Sequence, residues 1–291
     1  MTRGGLDAAS GAGHRDSMAH VLIHLPHASR YVPLDERGGL AVDDAELERQ
    51  HLALVDDRTA ELFAPVTARA SLVVAPVSRL VVDVERRRDD ALEPAAEVGM
   101  GAVYTKGVGN IDLRPALTAV ERERLLRTWY DPHHRGLDRH IESIRGATDA
   151  CVLIDAHSYP TEALPTELLG TERPEICLGT DPHWSRGVER IAEKHFAESG
   201  YTVGIDRPYA GSMVPGIISR DPQRNLSWAR SFHGQMAPCK GFFTLMIEVR
   251  RDVYLRPGSQ LPGPRFNHLQ FTLNTLYERL NRVNFWTGKD P

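Results

Sequence analysis

Three apolar runs in this chain end in residues that can bind a metal or move a proton. Ala19–Leu25 leads into Pro26 and His27, residues 151–154 lead into Asp155 and His157, and residues 242–247 lead into Glu248. A short apolar run bounded by turn residues reads as a buried strand, and polar residues at its carboxyl end lie where open α/β sheets bind ligands. Two imidazoles and one carboxylate, with water in a fourth position, are the donor set of a hydrolytic zinc site. A further carboxylate can then take the proton from that water. Glu248 suits the second role. An ionised carboxylate inside Leu-Met-Ile-Glu-Val is costly to bury unless it is paired or faces a metal, a salt bridge to Arg79 or Arg250 being the alternative. Asp56 or Asp57, at a break in a helical stretch, is available as the carboxylate ligand. Asp155 shares a strand face with His157, so it can reach the metal or orient an imidazole.

Arg79 and Arg250 lie near the same strand ends and point to an anionic substrate. Arg250 shares a face with Glu248 in a regular strand and can fork onto a carboxylate; ion pairs with Asp83 or Glu248 are the alternative. The Arg86-Arg87-Arg88 run reads as a solvated face or as partners for Asp89 and Asp90. The loop Pro208-Tyr209-Ala210-Gly211-Ser212 either closes over a ligand or is a turn. HExxH, GxSxG, P-loop and Rossmann fingerprints are absent.

The elements that must position these residues alternate. Strands are expected at Ala19–Leu25, 71–77, 151–158, 175–179, 201–205 and 242–249, with a short edge strand at 216–219. Residues 80–84 continue as a strand or turn. Helices are expected within 43–63, broken near 55–57, at 185–199, and at Phe266–Arg282. Thr118 opens another with a capping box to Glu121; it runs to about Tyr130, is interrupted by Pro132, and resumes from His133 to Arg145. Residues 93–114 read as a loop. The pattern predicts an α/β fold: a three-layer α/β/α arrangement with a mixed, mostly parallel sheet. Residues 1–17 read as a disordered leader and 18–291 as a single domain.

Composition narrows the function classes. With 291 residues, a net charge of −4 and 41% hydrophobic content, the chain has an ordinary globular make-up that favours neither a nucleic-acid nor a membrane partner. No apolar signal core opens it, so a cytoplasmic location is expected. Cys151, Cys177 and Cys239 are widely spaced and odd in number, which predicts buried free thiols in a reducing compartment.

The motifs Pro26-His27-Ala28-Ser29, Asp56 before a helix, Ser78-Arg79-Leu80-Val81-Val82-Asp83, Pro132-His133-His134, Asp155-Ala156-His157-Ser158, Pro208-Tyr209-Ala210-Gly211 and Ile247-Glu248 follow one another in a familiar order. The sequence resembles the N-formylglutamate amidohydrolase family from Val21 to about Leu255. That resemblance implies a zinc-exopeptidase (carboxypeptidase-like) fold and one Zn2+ per chain. It further implies hydrolysis of the formyl group from N-formyl-L-glutamate or a related small N-acylated, anionic substrate, with histidine degradation as the pathway. By position, His27, Asp56 and His157 are the implied metal ligands, Glu248 the catalytic base, and Arg79, His134 and Arg250 the substrate contacts; Asp155 is left to orient an imidazole. The chain departs from the family pattern in carrying Glu85-Arg86 where Asn-Arg is common, Ala28-Ser29 where Ser-Gly follows the histidine, and a different loop at 93–105. These departures fall where substrate recognition is expected.

Overall fold

A six-stranded sheet organises the computed structural model, which describes residues 19–163, 170, 172–219 and 241–283. Its strands are β1 Ala19–Leu25, β2 Ala70–Val74, β3 Ala150–Tyr159, β4 Ile176–Gly179, β5 Val203–Ile205 and β6 Gly241–Arg250, arranged β2-β1-β3-β6-β4-β5. β2, β1, β3 and β6 are mutually parallel; β4 runs antiparallel to β6, and β5 parallel to β4. The helices are α1 Leu34–Arg37, α2 Asp44–Leu54, α3 Thr59–Leu62, α4 Ala119–Leu125, α5 Asp131–Ala147, α6 Val188–Glu198, α7 Gly216–Ser219, α8 Arg251–Tyr254 and α9 Phe266–Arg282. The expected α/β class with a mixed, mostly parallel sheet is therefore found.

Strand alternation sorts two cores. Val21, Ile23, Val152, Ile154, Leu245 and Ile247 face one side, packed with α6 and α9 residues such as Phe196, Leu273 and Leu276. Leu22, Cys151, Leu153 and Phe242 face the other, against Leu137, Ile141 and Ile144 of α5. Each fully buried Leu, Ile or Phe contributes about 1.5–3 kcal/mol. A one-residue slip of β3 would exchange its two faces, so packing pins the register. By parity, His24, Asp155, His157 and Glu248 all belong to the α5 side.

β1 lies between β2 and β3. The β1–β2 connection, carrying α2 and α3, buries Leu62 and Phe63 in the first core, whereas the β2–β3 connection lays α5 on the opposite face. The connections that leave β1 and β2 thus cover opposite faces of the sheet, and a crevice at the carboxyl ends of β1 and β3 is where such a sheet binds ligands.

Several expectations at element level change. Residues 216–219 form helix α7, not an edge strand. The amides of Ile218 and Ser219 donate to the Pro215 carbonyl, that of Ile217 donates to Asp138, and Ile218 is buried against α5. The strand expected at 71–77 is Ala70–Val74; Pro76 lacks the N–H to extend a ladder. The capping box at Thr118 is present. Pro132 does not break the following helix but sits in the first turn of α5, preceded by a π-helical turn at Leu126–Tyr130. Of the strand or turn expected at 80–84 the turn is found, and a 3-10 turn, Pro94–Val98, forms within the expected loop. Cys151 and Cys177 are buried free thiols. Cys239 and the expected leader at 1–17 lie outside the described residues. Among the described residues no helix is long and apolar enough to cross a membrane.

Candidate active site

His27 leaves β1 through Pro26, and its backbone carbonyl accepts the Asp56 amide at 3.0 Å. The Asp56 carbonyl in turn accepts the Thr59 side chain and amide, at 2.6 and 3.2 Å, starting α3. The break between α2 and α3 is thereby stitched to the end of β1. Arg251, the first residue of α8, donates to the carbonyls of Leu52 and Val55 at the end of α2, where helix carbonyls lack internal partners. Its guanidinium also lies 3.6 Å from Asp56 Oδ1, which accepts Ser158 Oγ at 3.2 Å. Asp57 faces away. It pairs with Arg30 at 3.2 Å and lines an outer cleft with Glu48, Arg251 and Arg256.

The two histidine rings stand 5.0 Å apart, both buried. Their Nδ1 atoms lie 3.8 Å (His27) and 3.4 Å (His157) from Asp56 Oδ2. Their Nε2 atoms face other carboxylates. His27 Nε2 donates to Asp83 Oδ1 at 2.9 Å and lies 3.3 Å from Glu85; His157 Nε2 lies 3.3 Å from both Asp155 and Glu85 and makes no good hydrogen bond. Burial alone would raise the Asp56 carboxyl. The His157 contact and the nearby charges of His27, His157 and Arg251 override it and hold Asp56 at about 2. Burial opposes the charge on His157 too, but Glu85 and Asp155 raise it well above the ordinary histidine range.

Asp83 anchors the turn that carries Glu85. It accepts two bonds from Arg79 at 3.0 and 2.8 Å, one from the Tyr104 hydroxyl at 2.7 Å, one from His27, and one from the Glu85 amide at 3.0 Å. It is fully buried, yet Arg79 and His27 overcome that burial and keep its carboxyl well below the ordinary range. Removing one partner of a buried pair leaves the other charge uncompensated, at about 3–5 kcal/mol. Asp83→Ala is therefore expected to destabilise the fold by that amount, measured by chemical denaturation; a loss below about 1 kcal/mol would contradict the assignment.

Glu248 stands opposite His157 in the β3–β6 ladder. Its Oε2 is buried without a partner. Burial, reinforced by Asp56 and Glu85, pushes its carboxyl up to about 8 despite His157 and Arg251. The donors suit a divalent cation. Asp56, Asp83, Asp155, Glu85 and Glu248 crowd two imidazoles, while Arg79 is committed to Asp83. His27, Glu85 and His157 offer three ligand atoms all within 4.8 Å of one another, and Glu248 Oε2 is a buried polar atom in want of a partner.

The sequence model of the N-formylglutamate amidohydrolase family matches residues 19–255. The chain belongs to this family. A N-formylglutamate deformylase of Pseudomonas putida is 30% identical over 219 residues, covering 71% of this chain and 76% of the relative. Its namesake from Pseudomonas aeruginosa is 26% identical over 212 residues, covering 67% and 73%. The crystal structure of an N-formylglutamate amidohydrolase from Ralstonia eutropha JMP134 superposes with a TM-score of 0.68 over 92% of this chain and 94% of that one, at 22% identity. A gene product of Agrobacterium tumefaciens superposes with a TM-score of 0.58 over 90% and 91%, at 21% identity. These two likenesses concern the fold. Membership of the N-formylglutamate amidohydrolase family makes the chain a hydrolase of amide bonds.

In this amidohydrolase the crevice gathers His27, Asp56, His157 and Glu248. The residues expected to contact substrate are engaged by the protein itself. Arg79 is held by Asp83 and Tyr104, and His134 donates to the Val84 carbonyl at 2.8 Å. Arg250 pairs with Asp252 at 2.7 Å and donates to the Arg173 carbonyl. The arginine that reaches Asp56 is its neighbour Arg251, because β6 ends at Arg250 and helix α8 turns the next side chain inward. The Arg86–Arg88 run is only in part a solvated face, with Arg87 exposed. Arg88 pairs with Glu123 and Asp131, Asp90 takes Arg122, and Arg86 carries a buried Nε with no hydrogen-bond partner, 3.8 Å from Asp83. Glu85 and Arg86 went unassigned in the sequence. The available signal was their departure from Asn-Arg, two residues beyond Asp83.

Proposed function

We propose that the chain is a zinc-dependent deformylase that releases formate from N-formyl-L-glutamate or a closely related N-acyl amino acid. One observation carries this reading: both buried imidazoles turn one nitrogen toward Asp56 and the other toward a different carboxylate, the arrangement in which a metal-binding histidine donates its remaining N–H to an acceptor. His27, Asp56 and His157 would hold the ion. When bound there, zinc lowers the pKa of a water and polarises the scissile carbonyl. Glu248 accepts the water proton and returns it to the leaving nitrogen. Asp83 keeps the hydrogen of His27 on Nε2, Asp155, 3.3 Å from His157 Nε2, would accept that of His157, and Arg251 with Ser158 steadies Asp56.

Arg86 is the proposed anchor for a substrate carboxylate. Its side chain is 32% exposed, so it can meet a ligand. A charge-assisted hydrogen bond is worth about 1.5–3 kcal/mol. Arg86→Gln is thus expected to raise KM by roughly 10- to 150-fold with a smaller change in kcat. An unchanged KM would remove Arg86 from the role.

The reading is tested by incubating purified protein with N-formyl and N-acetyl amino acids, following formate or acetate release, and repeating the assay with chelator. Expected are near-stoichiometric zinc, preference for N-formyl-L-glutamate, and loss of activity on chelation. Turnover of another N-acyl amino acid alone would move the substrate assignment. Absence of both metal and turnover would leave a binding relative of the family. A second ligand set is favoured by the proximity of Glu85 to both Nε2 atoms, with Glu85 replacing Asp56.

A further inference from the structure

We propose that His24 and His133, neither of which faces the crevice, are positioning residues that hold Asp155 and thereby set which nitrogen of His157 carries its hydrogen. The proposal rests on the reading above, in which His157 meets the metal through Nδ1. His24 and Asp155 are direct partners in the β1–β3 ladder. His24 Nδ1 donates to Asp155 Oδ1 at 2.9 Å, and the same oxygen lies 3.3 Å from His157 Nε2. On the other edge of the ring, His24 Nε2 meets His133 Nε2 of α5 at 2.9 Å. All four side chains are buried.

Hydrogen-bond chemistry orders this chain. An ionised carboxylate only accepts, so His24 carries hydrogen on Nδ1. In the proposed chain the hydrogen between the two Nε2 atoms belongs to His133, and His24 Nε2 accepts it. Burial lowers His133 to about 3, so it enters as a neutral ring. Asp155, fixed by His24, stands with Oδ1 3.3 Å from His157 Nε2, the acceptor this nitrogen would take once Nδ1, the edge facing Asp56, meets the ion.

A purely structural role accounts poorly for this arrangement. The neighbouring inward positions on these strands, Leu22, Cys151 and Leu153, are apolar and pack on α5. Buried polar networks seldom stabilise more than apolar groups of the same shape. The network also has a direction: it crosses from helix α5 through β1 to β3 and stops at His157.

The experiment compares wild-type protein with His133→Phe and His133→Gln, measuring zinc affinity by chelator competition, kcat and KM, and the melting temperature. Glutamine keeps an N–H donor where the His133 Nε2 stands; phenylalanine does not. His133→Phe is expected to weaken zinc binding by roughly 10- to 100-fold and to lower kcat with KM within about twofold, whereas His133→Gln recovers most of both. Unchanged zinc affinity in His133→Phe, or equal damage in both variants, would overturn the proposal. Should the phenylalanine variant fail to fold, nitrogen NMR of the wild-type imidazoles decides: hydrogen on Nδ1 of His24 and on Nε2 of His133 supports the chain, and a His133 hydrogen on Nδ1 overturns it. Wild-type protein that binds no zinc defeats the functional reading instead, an outcome distinct from any of these.

Discussion

Glu248→Gln is expected to lower kcat by about 10²–10⁴-fold while zinc remains bound, since that is the usual contribution of a positioned proton acceptor. Glutamine keeps the volume and polarity of the side chain and removes only its ability to take a proton. Two observations support the proposed role of Glu248. It is opposite His157 on the adjacent strand, and one of its oxygens is buried with no partner. The other carboxylates around the histidines are committed: Asp83 to Arg79, Asp155 to His24, and Asp56 to Ser158 and Arg251. Because the replacement keeps the volume and polarity of the side chain, it should not lower the melting temperature. Formate release and metal content of the same preparation provide the measurement. Activity within tenfold of wild type would exclude Glu248 as the base, and loss of metal would make it a ligand.

Asp56→Asn is expected to weaken zinc binding by more than the roughly 10–100-fold typical of outer partners, and Glu85→Gln by less than about tenfold. Each histidine can present one of two edges, and the two candidate carboxylates sit on opposite edges. The Nε2 edge of His27 already donates to Asp83 at 2.9 Å, and Asp83 cannot move without stranding Arg79. The Nδ1 edges are free to ligate, and both face a single oxygen of Asp56. Asp56 is also the better preorganised group. It is buried and ionised at neutral pH, and its backbone is tied to His27, whereas Glu85 is a quarter exposed on a turn. Metal titration of the two variants reads the difference directly. The opposite ranking would transfer the ion to the Nε2 edge and to Glu85.

The α/β class was legible in the sequence because the central strands are buried on both faces and therefore read as unbroken apolar runs ending in polar residues. The same logic delivered His27, His157 and Glu248 as candidates. It failed for Ile217 and Ile218, whose apolar character serves a helix packed on α5 and not a strand. Arg250 ends β6 beside a helix start, and its pairing is with Asp252 and not with the Asp83 or Glu248 that the sequence offered. Arg86 was hidden within a charge run, where local sequence suggests solvent.

By itself the sequence determined which residue types stand at the ends of β1, β3 and β6, since strand burial is a local pattern. Pairing was decided only by the tertiary structure. Strand order brought β1 and β3 together, so His24 met Asp155 and His27 met His157; the parallel register of β3 and β6 put Glu248 opposite His157. The carboxyl groups of Asp56, Asp83 and Glu85 come from turns whose paths depend on long-range bonds to His27, Arg79 and Arg251. Contacts across tens to hundreds of residues leave no periodic trace in the chain, and so the edge from which each imidazole meets its partners is a property of the fold alone.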